Sequence, residues 1–168
     1  MRNVKINGFT LVELLIALVI VAIGALGHAK MQMNSMRNAQ RASFSQSANI
    51  ALHDIVQRVR GMPNAALAGE FNSAIGTGPS SSESCNDSGV DCTRSEFATF
   101  ELVDWYSEVS KILPSPQFSV VQSTNLFTVT LIWDANRDNS VVTNCTTIAS
   151  AATGGNGDQC GEVNLWIR

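Results

Sequence analysis

The strongest feature of the hydropathy pattern is an apolar run from Phe9 to Gly27 that contains a single charge, Glu13. The run holds about 19 residues, or about 28 Å of helix at 1.5 Å per residue, which is close to the thickness of a bilayer's hydrocarbon core. Basic residues flanking such a run stay on the cytoplasmic side, and the preceding leader contains Arg2 and Lys5. The pattern therefore predicts a membrane-spanning helix with the rest of the chain exported.

Helical spacing continues past the apolar run and becomes amphipathic from Phe44. The residues Gly61-Met62-Pro63 form a stop signal, so the long helix is predicted to end there and to bury one face against a globular head. The residues of that face are Ala48, Ala51, Leu52, Ile55, Val59 and Met62.

The segment after the long helix is predicted to form a loop over residues 64–92, because Gly, Ser and Pro accumulate in it. Thr93 and Glu96 then have the spacing of a capping box, which predicts a second helix to about Leu113. Pro114 and Pro116 end it. Its predicted buried face consists of Ala98, Leu102, Trp105, Val109 and Ile112.

The remainder of the chain has the short, alternating pattern of β-strands. Strands are predicted at residues 118–122, 126–134, 141–148 and 161–167, with a hairpin loop at 135–139. In the second strand, one set of side chains (Phe127, Val129, Leu131, Trp133) faces the core and the other set (Thr128, Thr130, Ile132) faces away. The predicted fold class is α+β, with a long N-terminal helix packed on an antiparallel β-sheet head.

Charge is distributed unevenly along the chain. Residues 1–60 contain seven basic residues and two acids, whereas residues 61–168 contain four basic residues and twelve acids, a net charge of −8. Nucleic-acid binding needs clustered Lys and Arg, so the acidic head argues against a nucleic-acid partner.

All four cysteines lie in the part of the chain predicted to be exported. An even number there indicates disulfides in an oxidising compartment such as the periplasm. Four cysteines allow three pairings; proximity in sequence favours Cys85–Cys92 and Cys145–Cys160. A zinc site needs closer cysteine spacing or nearby histidines, and both histidines, His28 and His53, lie in the long helix, so no metal site is predicted.

Other catalytic or ligand-binding patterns are weak. The sequence has no nucleophile–base arrangement, Gly-rich phosphate loop or catalytic carboxylate pair, so neither an enzyme nor a cofactor is predicted. Asp134-x-Asn136-x-Asp138 copies the first ligands of a calcium loop, but Asn139 and Cys145 stand where that loop needs Gly and Glu. A polar hairpin is the better interpretation.

The residues Gly8-Phe9-Thr10-Leu11-Val12-Glu13-Leu14 resemble the processing motif of type IV prepilins and type II secretion pseudopilins. The resemblance implies cleavage by prepilin peptidase between Gly8 and Phe9, and N-methylation of Phe9. It also implies that Glu13 pairs with the N-terminal ammonium of a neighbouring subunit. A carboxylate in hydrocarbon costs about 2.5–3.5 kcal/mol on insertion scales, and a buried amine offsets much of that cost.

A second resemblance covers residues 48–63, which are similar to the helix end of PilV-type minor pilins, the type IV pilus modification proteins. The Cys85/Cys92 region, the helix with Trp105 and the strand ending at Asp134 occur in a similar order in that family. This implies a low-abundance subunit that helps to initiate the pilus at the inner membrane. Its implied partners are other minor pilins, the major pilin and a tip adhesin above it.

The resemblances imply a cleaved leader at 1–8, a transmembrane or filament-core helix at 9–27, an extramembrane helix at 28–61 and a periplasmic head at 62–168. The chain would sit in the lipid of the bacterial inner membrane and later in the pilus at the cell surface. Three alternatives stay open: a minor pseudopilin of a type II secretion system, a signal-anchored periplasmic binding domain, and a cleaved secretory signal with Ala25 or Ala29 at its cleavage site.

Overall fold

The computed structural model describes residues 10–80, 84–87, 89, 91–139, 145 and 159–167. The chain divides into two compact units, residues 1–40 and residues 41–168. The described elements, in chain order, are α1 (Leu11–Gly61), α2 (Pro63–Leu67), β1 (Ser73–Gly76), α3 (Arg94–Ile112), β2 (Gln117–Ser123), β3 (Leu126–Trp133) and β4 (Gln159–Trp166).

The first unit is described from Thr10 onward and consists of the first thirty residues of α1, all of them exposed. In the second unit, α1 buries one face, formed by Ala48, Ala51, Leu52, Ile55, Val56 and Val59. The predicted face and the predicted end of the helix are confirmed, with Val56 added to the buried set. Met62, which was assigned to the same face, is only partly buried.

The prediction of a continuous loop over residues 64–92 is wrong for its first part, which contains α2 and β1. Pro63 begins α2, a position where the missing N–H of proline costs nothing, and Ala65 and Ala66 are buried there. β1 has no alternating pattern of its own. It forms because Ser73 and Gly76 pair with Val120 and Phe118 of β2.

The capping box that starts α3 is confirmed. Thr93 Oγ1 accepts a hydrogen bond from the Glu96 N–H, and the Glu96 carboxylate accepts one from the Thr93 N–H at 2.7 Å. The predicted buried face is correct except for Ile112, which is 50% exposed. Leu113 is buried instead, because the chain becomes extended at that residue and its side chain leaves the helical spacing.

The four described strands form one antiparallel sheet in the order β1-β2-β3-β4. Three of them match predicted strands, whereas the strand predicted at 141–148 lies outside the described residues except for Cys145. Ile132 departs from the predicted alternation because it is fully buried. It lies at the end of β3, where Leu131, Trp133 and Asp134 are buried as well, so the alternation between buried and half-buried positions stops there.

The core lies between the sheet and the two long helices. Trp105 of α3 is 1% exposed, its ring meets Phe118 edge-on at 5.0 Å, and its Nε1–H donates to the Ala51 carbonyl at 2.9 Å. The Tyr106 hydroxyl donates to the Pro116 carbonyl. Both aromatic residues therefore pack in the fold, as the sequence predicted.

The predicted fold class is confirmed: a long N-terminal helix packs on a four-stranded antiparallel sheet with disulfide-closed loops. The structure joins Cys85 to Cys92 and Cys145 to Cys160. This arrangement is consistent with a pilin fold.

Candidate assembly site

The first unit presents an apolar surface with no covering side chains in the described part of the chain. Its large apolar residues from Leu11 to Leu26 are 53–78% exposed. Among the described elements, α1 is the one helix long and apolar enough to cross a membrane. An apolar surface of this extent marks contact with lipid or with other protein rather than with water.

The start of α1 is organised by Thr10. Its Oγ1 accepts a hydrogen bond from the Glu13 N–H at 3.3 Å, and its carbonyl accepts from the N–H groups of Glu13 and Leu14 at 3.1 and 3.3 Å. Thr10 is thus the N-cap of the helix. Glu13 consequently lies in the first turn, where the helix dipole favours a negative charge.

The same Thr-x-x-Glu spacing occurs at the start of α3, but there it is used differently. The Glu96 carboxylate accepts from the backbone N–H of Thr93 at 2.7 Å and from its hydroxyl at 2.8 Å. These two hydrogen bonds lower the pKa of Glu96 below its ordinary value.

At the start of α1 only one of the two hydrogen bonds of a capping box is formed, the one from the Glu13 N–H to Thr10 Oγ1. The Glu13 carboxylate has no hydrogen bond or ion pair with any other described residue. It is exposed, in an otherwise apolar stretch of α1, and is therefore available to a partner outside the chain. Gly8 and Phe9, the residues of the predicted cleavage site, lie outside the described residues.

A second polar cluster joins α1 to α3 in the head and was not predicted. Arg58 Nη1 lies 2.8 Å from Glu101 Oε2 and 2.8 Å from Asp104 Oδ2, and its Nε lies 3.0 Å from Asp54 Oδ2. Burial lowers the pKa of Arg58, but the hydrogen bond to Asp104 and the charges of Asp54 and Glu101 outweigh it and raise this pKa. The four-residue spacing of Asp54 and Arg58 was the one local signal for the cluster.

The calcium-like motif forms a turn held by its first residue. Asp134 is fully buried, and its two carboxylate oxygens accept hydrogen bonds from the N–H groups of Asn136 at 3.1 Å and Asn139 at 2.8 Å. Both carboxylate oxygens of Asp134 therefore accept backbone donors of their own turn. Across the described ranges, no group of three or more His, Cys, Asp or Glu side chains could hold a metal ion.

Comparison with known families gives one result. The family described as "Prokaryotic N-terminal methylation motif" matches residues 4–27. This match supports a type IV pilin-like protein. Neither the curated proteins nor the solved structures include a significant match to the chain.

The match indicates a prepilin-type pilin or pseudopilin. Such a protein is structural rather than a member of an enzyme family. The motif implies processing by prepilin peptidase and partners in pilus assembly. The exposed apolar part of α1 fits anchoring in a membrane.

Proposed function

We propose that this pilin-like protein is a minor pilin that takes part in the initiation and assembly of type IV pili. The observation that carries the proposal is the match over residues 4–27, within which Glu13 presents a free carboxylate on an exposed apolar helix. Prepilin peptidase would cleave between Gly8 and Phe9, and Phe9 would then be N-methylated.

The proposed assembly contact is an ion pair between Glu13 and the N-terminal ammonium of a neighbouring subunit. The apolar surface of α1 can pack at many depths, because apolar contacts have no direction. A carboxylate in hydrocarbon is stabilised only when a partner lies at its own depth. Glu13 would therefore select one axial register between subunits, and the apolar residues around it would supply most of the contact area.

A PilV-type role is proposed over that of a minor pseudopilin because of the similarity in residues 48–63. In this role the chain would work with other minor pilins and the major pilin, below a tip adhesin. The proposed orientation places the head in the periplasm and the leader in the cytoplasm. The basic leader and the head's loop disulfides support that orientation.

The intact mass of the protein purified from membranes tests the processing step. We expect the mass of a chain that lacks residues 1–8 and carries one added methyl group. A chain that begins at Met1, or one cut beyond Ala25, would contradict the proposal. Deleting the gene would then separate the two systems, since loss of pili supports the minor pilin and loss of protein secretion with normal pili supports the pseudopilin.

The variant Glu13→Ala tests the assembly contact. It should insert into the membrane and fold normally, but incorporate poorly into filaments, because the neighbouring ammonium then lacks a partner. The matched control is Glu96→Ala, which removes the glutamate of the other Thr-x-x-Glu box and should incorporate normally. Quantitative immunoblotting of sheared filaments against the membrane pool measures both, and normal incorporation of Glu13→Ala would exclude the assembly role.

A further inference from the structure

The part of α1 that lies in the head is held in two different ways. From Ala48 to Val59 it buries a side chain at nearly every turn, and its Leu52 packs closely against Gly161 of β4. Residues 41–47 contain no buried residue. The segment 41–47 is thus the one with few buried apolar contacts, which is typical of regions that open locally.

The Phe44 ring of the segment 41–47 packs, partly buried, against the core, and three further contacts between described residues join the segment to the rest of the head. Arg41 Nη2 donates to Asn136 Oδ1, and Ser45 Oγ donates to Gln159 Oε1 at 3.3 Å. In the third contact, the guanidinium of Arg137 lies 5.4 Å from the centroid of the partly buried Phe44 ring. We call Asn136, Arg137 and Gln159 the clasp.

The turn that carries Asn136 and Arg137 is anchored independently of α1. The N–H of Asp134 donates to the Pro114 carbonyl at 3.0 Å, and its carboxylate accepts the two backbone N–H groups described above. Arg137 has a φ of +59°, which is uncommon for a residue with a side chain. The turn is therefore fixed by buried hydrogen bonds, and its side chains meet α1 as a preformed surface.

We propose that the clasp holds residues 41–47 of α1 on the head and that these residues detach while the core from Ala48 onward stays folded. The contacts of the clasp are partly exposed, and exposed contacts of this kind are individually weak. Detachment would add up to seven residues, about 10 Å of helix, to the part of α1 that is not packed on the head. The inference does not rest on the proposed function, because every contact in it lies within the second unit.

Distances between pairs of spin labels on the full-length chain in detergent test the inference. The described cysteines are all disulfide-bonded, so introduced thiols can be labelled selectively. One pair, Ser43→Cys with Val121→Cys, reports on the clasped segment. The matched pair, His53→Cys with Val121→Cys, reports on the part of α1 packed in the core. All three sites are exposed.

Two variants are designed to weaken the clasp. One carries Arg137→Gly alone, and the other carries Arg137→Gly together with Arg41→Ala. Glycine adopts the left-handed backbone without cost, so Arg137→Gly removes the guanidinium and leaves the turn intact. Loss of the exposed cation–π contact should raise the ratio of open to closed molecules about two- to fivefold, and the double variant should raise it further. The control variant is Arg60→Ala, an exposed arginine of the same helix outside the clasp.

We expect the 43–121 distance to gain a second population in the double variant while the 53–121 distance keeps one. Arg60→Ala should change neither. An unchanged 43–121 distribution would overturn the inference, since the clasp would then not be what holds the segment. Equal broadening of both pairs would also overturn it, since the segment would then leave only with the core.

Discussion

The long helix α1 approaches the sheet closely at Gly161, and Gly161→Ala should therefore destabilise the head. A Cβ at this position would lie 2.7 Å from Leu52 Cδ1 and 3.9 Å from Trp133 Cζ3. Leu52 is 4% exposed and Trp133 is 2% exposed. The leucine methyl cannot move aside into solvent, so the added methyl must displace packed core atoms.

The expected cost follows from two opposing effects. Overpacking of a dense core typically costs about 1–3 kcal/mol. Replacing Gly with Ala restricts the unfolded chain, which returns about 0.4–1 kcal/mol where the native backbone suits Ala. We expect a net loss of about 1–2 kcal/mol, measured by urea unfolding of the full-length protein in detergent with its disulfides intact and followed by tryptophan fluorescence.

A control and a double-mutant cycle assign the cost to the contact. Gly61→Ala meets nothing within 4 Å, so only the effect on the unfolded chain remains and this variant should stabilise the protein by about 0.4–1 kcal/mol. Leu52→Ala alone should cost about 2–5 kcal/mol, but it removes the obstructing methyl, so Gly161→Ala added to it should cost little. Equal costs of Gly161→Ala in the two backgrounds would refute the reasoning.

Two further predictions concern charge in the head. Arg58→Met leaves Glu101 and Asp104 without their shared cation and should cost about 1–3 kcal/mol in urea unfolding at neutral pH. The loss should be smaller at high salt, which screens the repulsion between the two carboxylates, and an equal loss at low and high salt would contradict an electrostatic origin. Glu96 has a lowered pKa in the folded state, so its contribution is complete above the ordinary value of 4.5 and is lost as the pH falls through the folded pKa. Thermal unfolding of Glu96→Gln should depend less on pH between 5 and 3 than that of the wild type, and identical pH profiles would argue against the capping role.

The helices and strands that are marked by residues close together in the sequence were predicted well. Four residues, Thr93 to Glu96, located the start of α3, because a capping box is closed by groups three residues apart. β1 was missed, because its residues acquire their partner only through β2: Ser73 pairs with Val120, which follows a whole intervening helix. Its sequence lacks the alternation that indicates a strand with one buried face.

Among the candidate sites, too, those marked by neighbouring residues were predicted, whereas those formed by residues distant in sequence were not. The spacing of Glu13 from Gly8 is a sequence motif, so the predicted assembly acid is visible without a structure. The Arg58 cluster joins two helices, and only Asp54 shares a helix with it. Likewise, the spacing of acids around Asp134 resembles a set of cation ligands, whereas its oxygens accept backbone donors of its own turn.

The complete exposure of residues 10–40 has a consequence for how this chain tolerates mutation. No side chain in that range is buried, so substitutions there can change the proposed membrane and subunit contacts while the unfolding free energy of the second unit stays constant. Substitutions from Ala48 to Val59 act on folding instead. A single helix thus carries two stretches of sequence that selection can adjust separately, one for contacts outside the chain and one for the stability of the head.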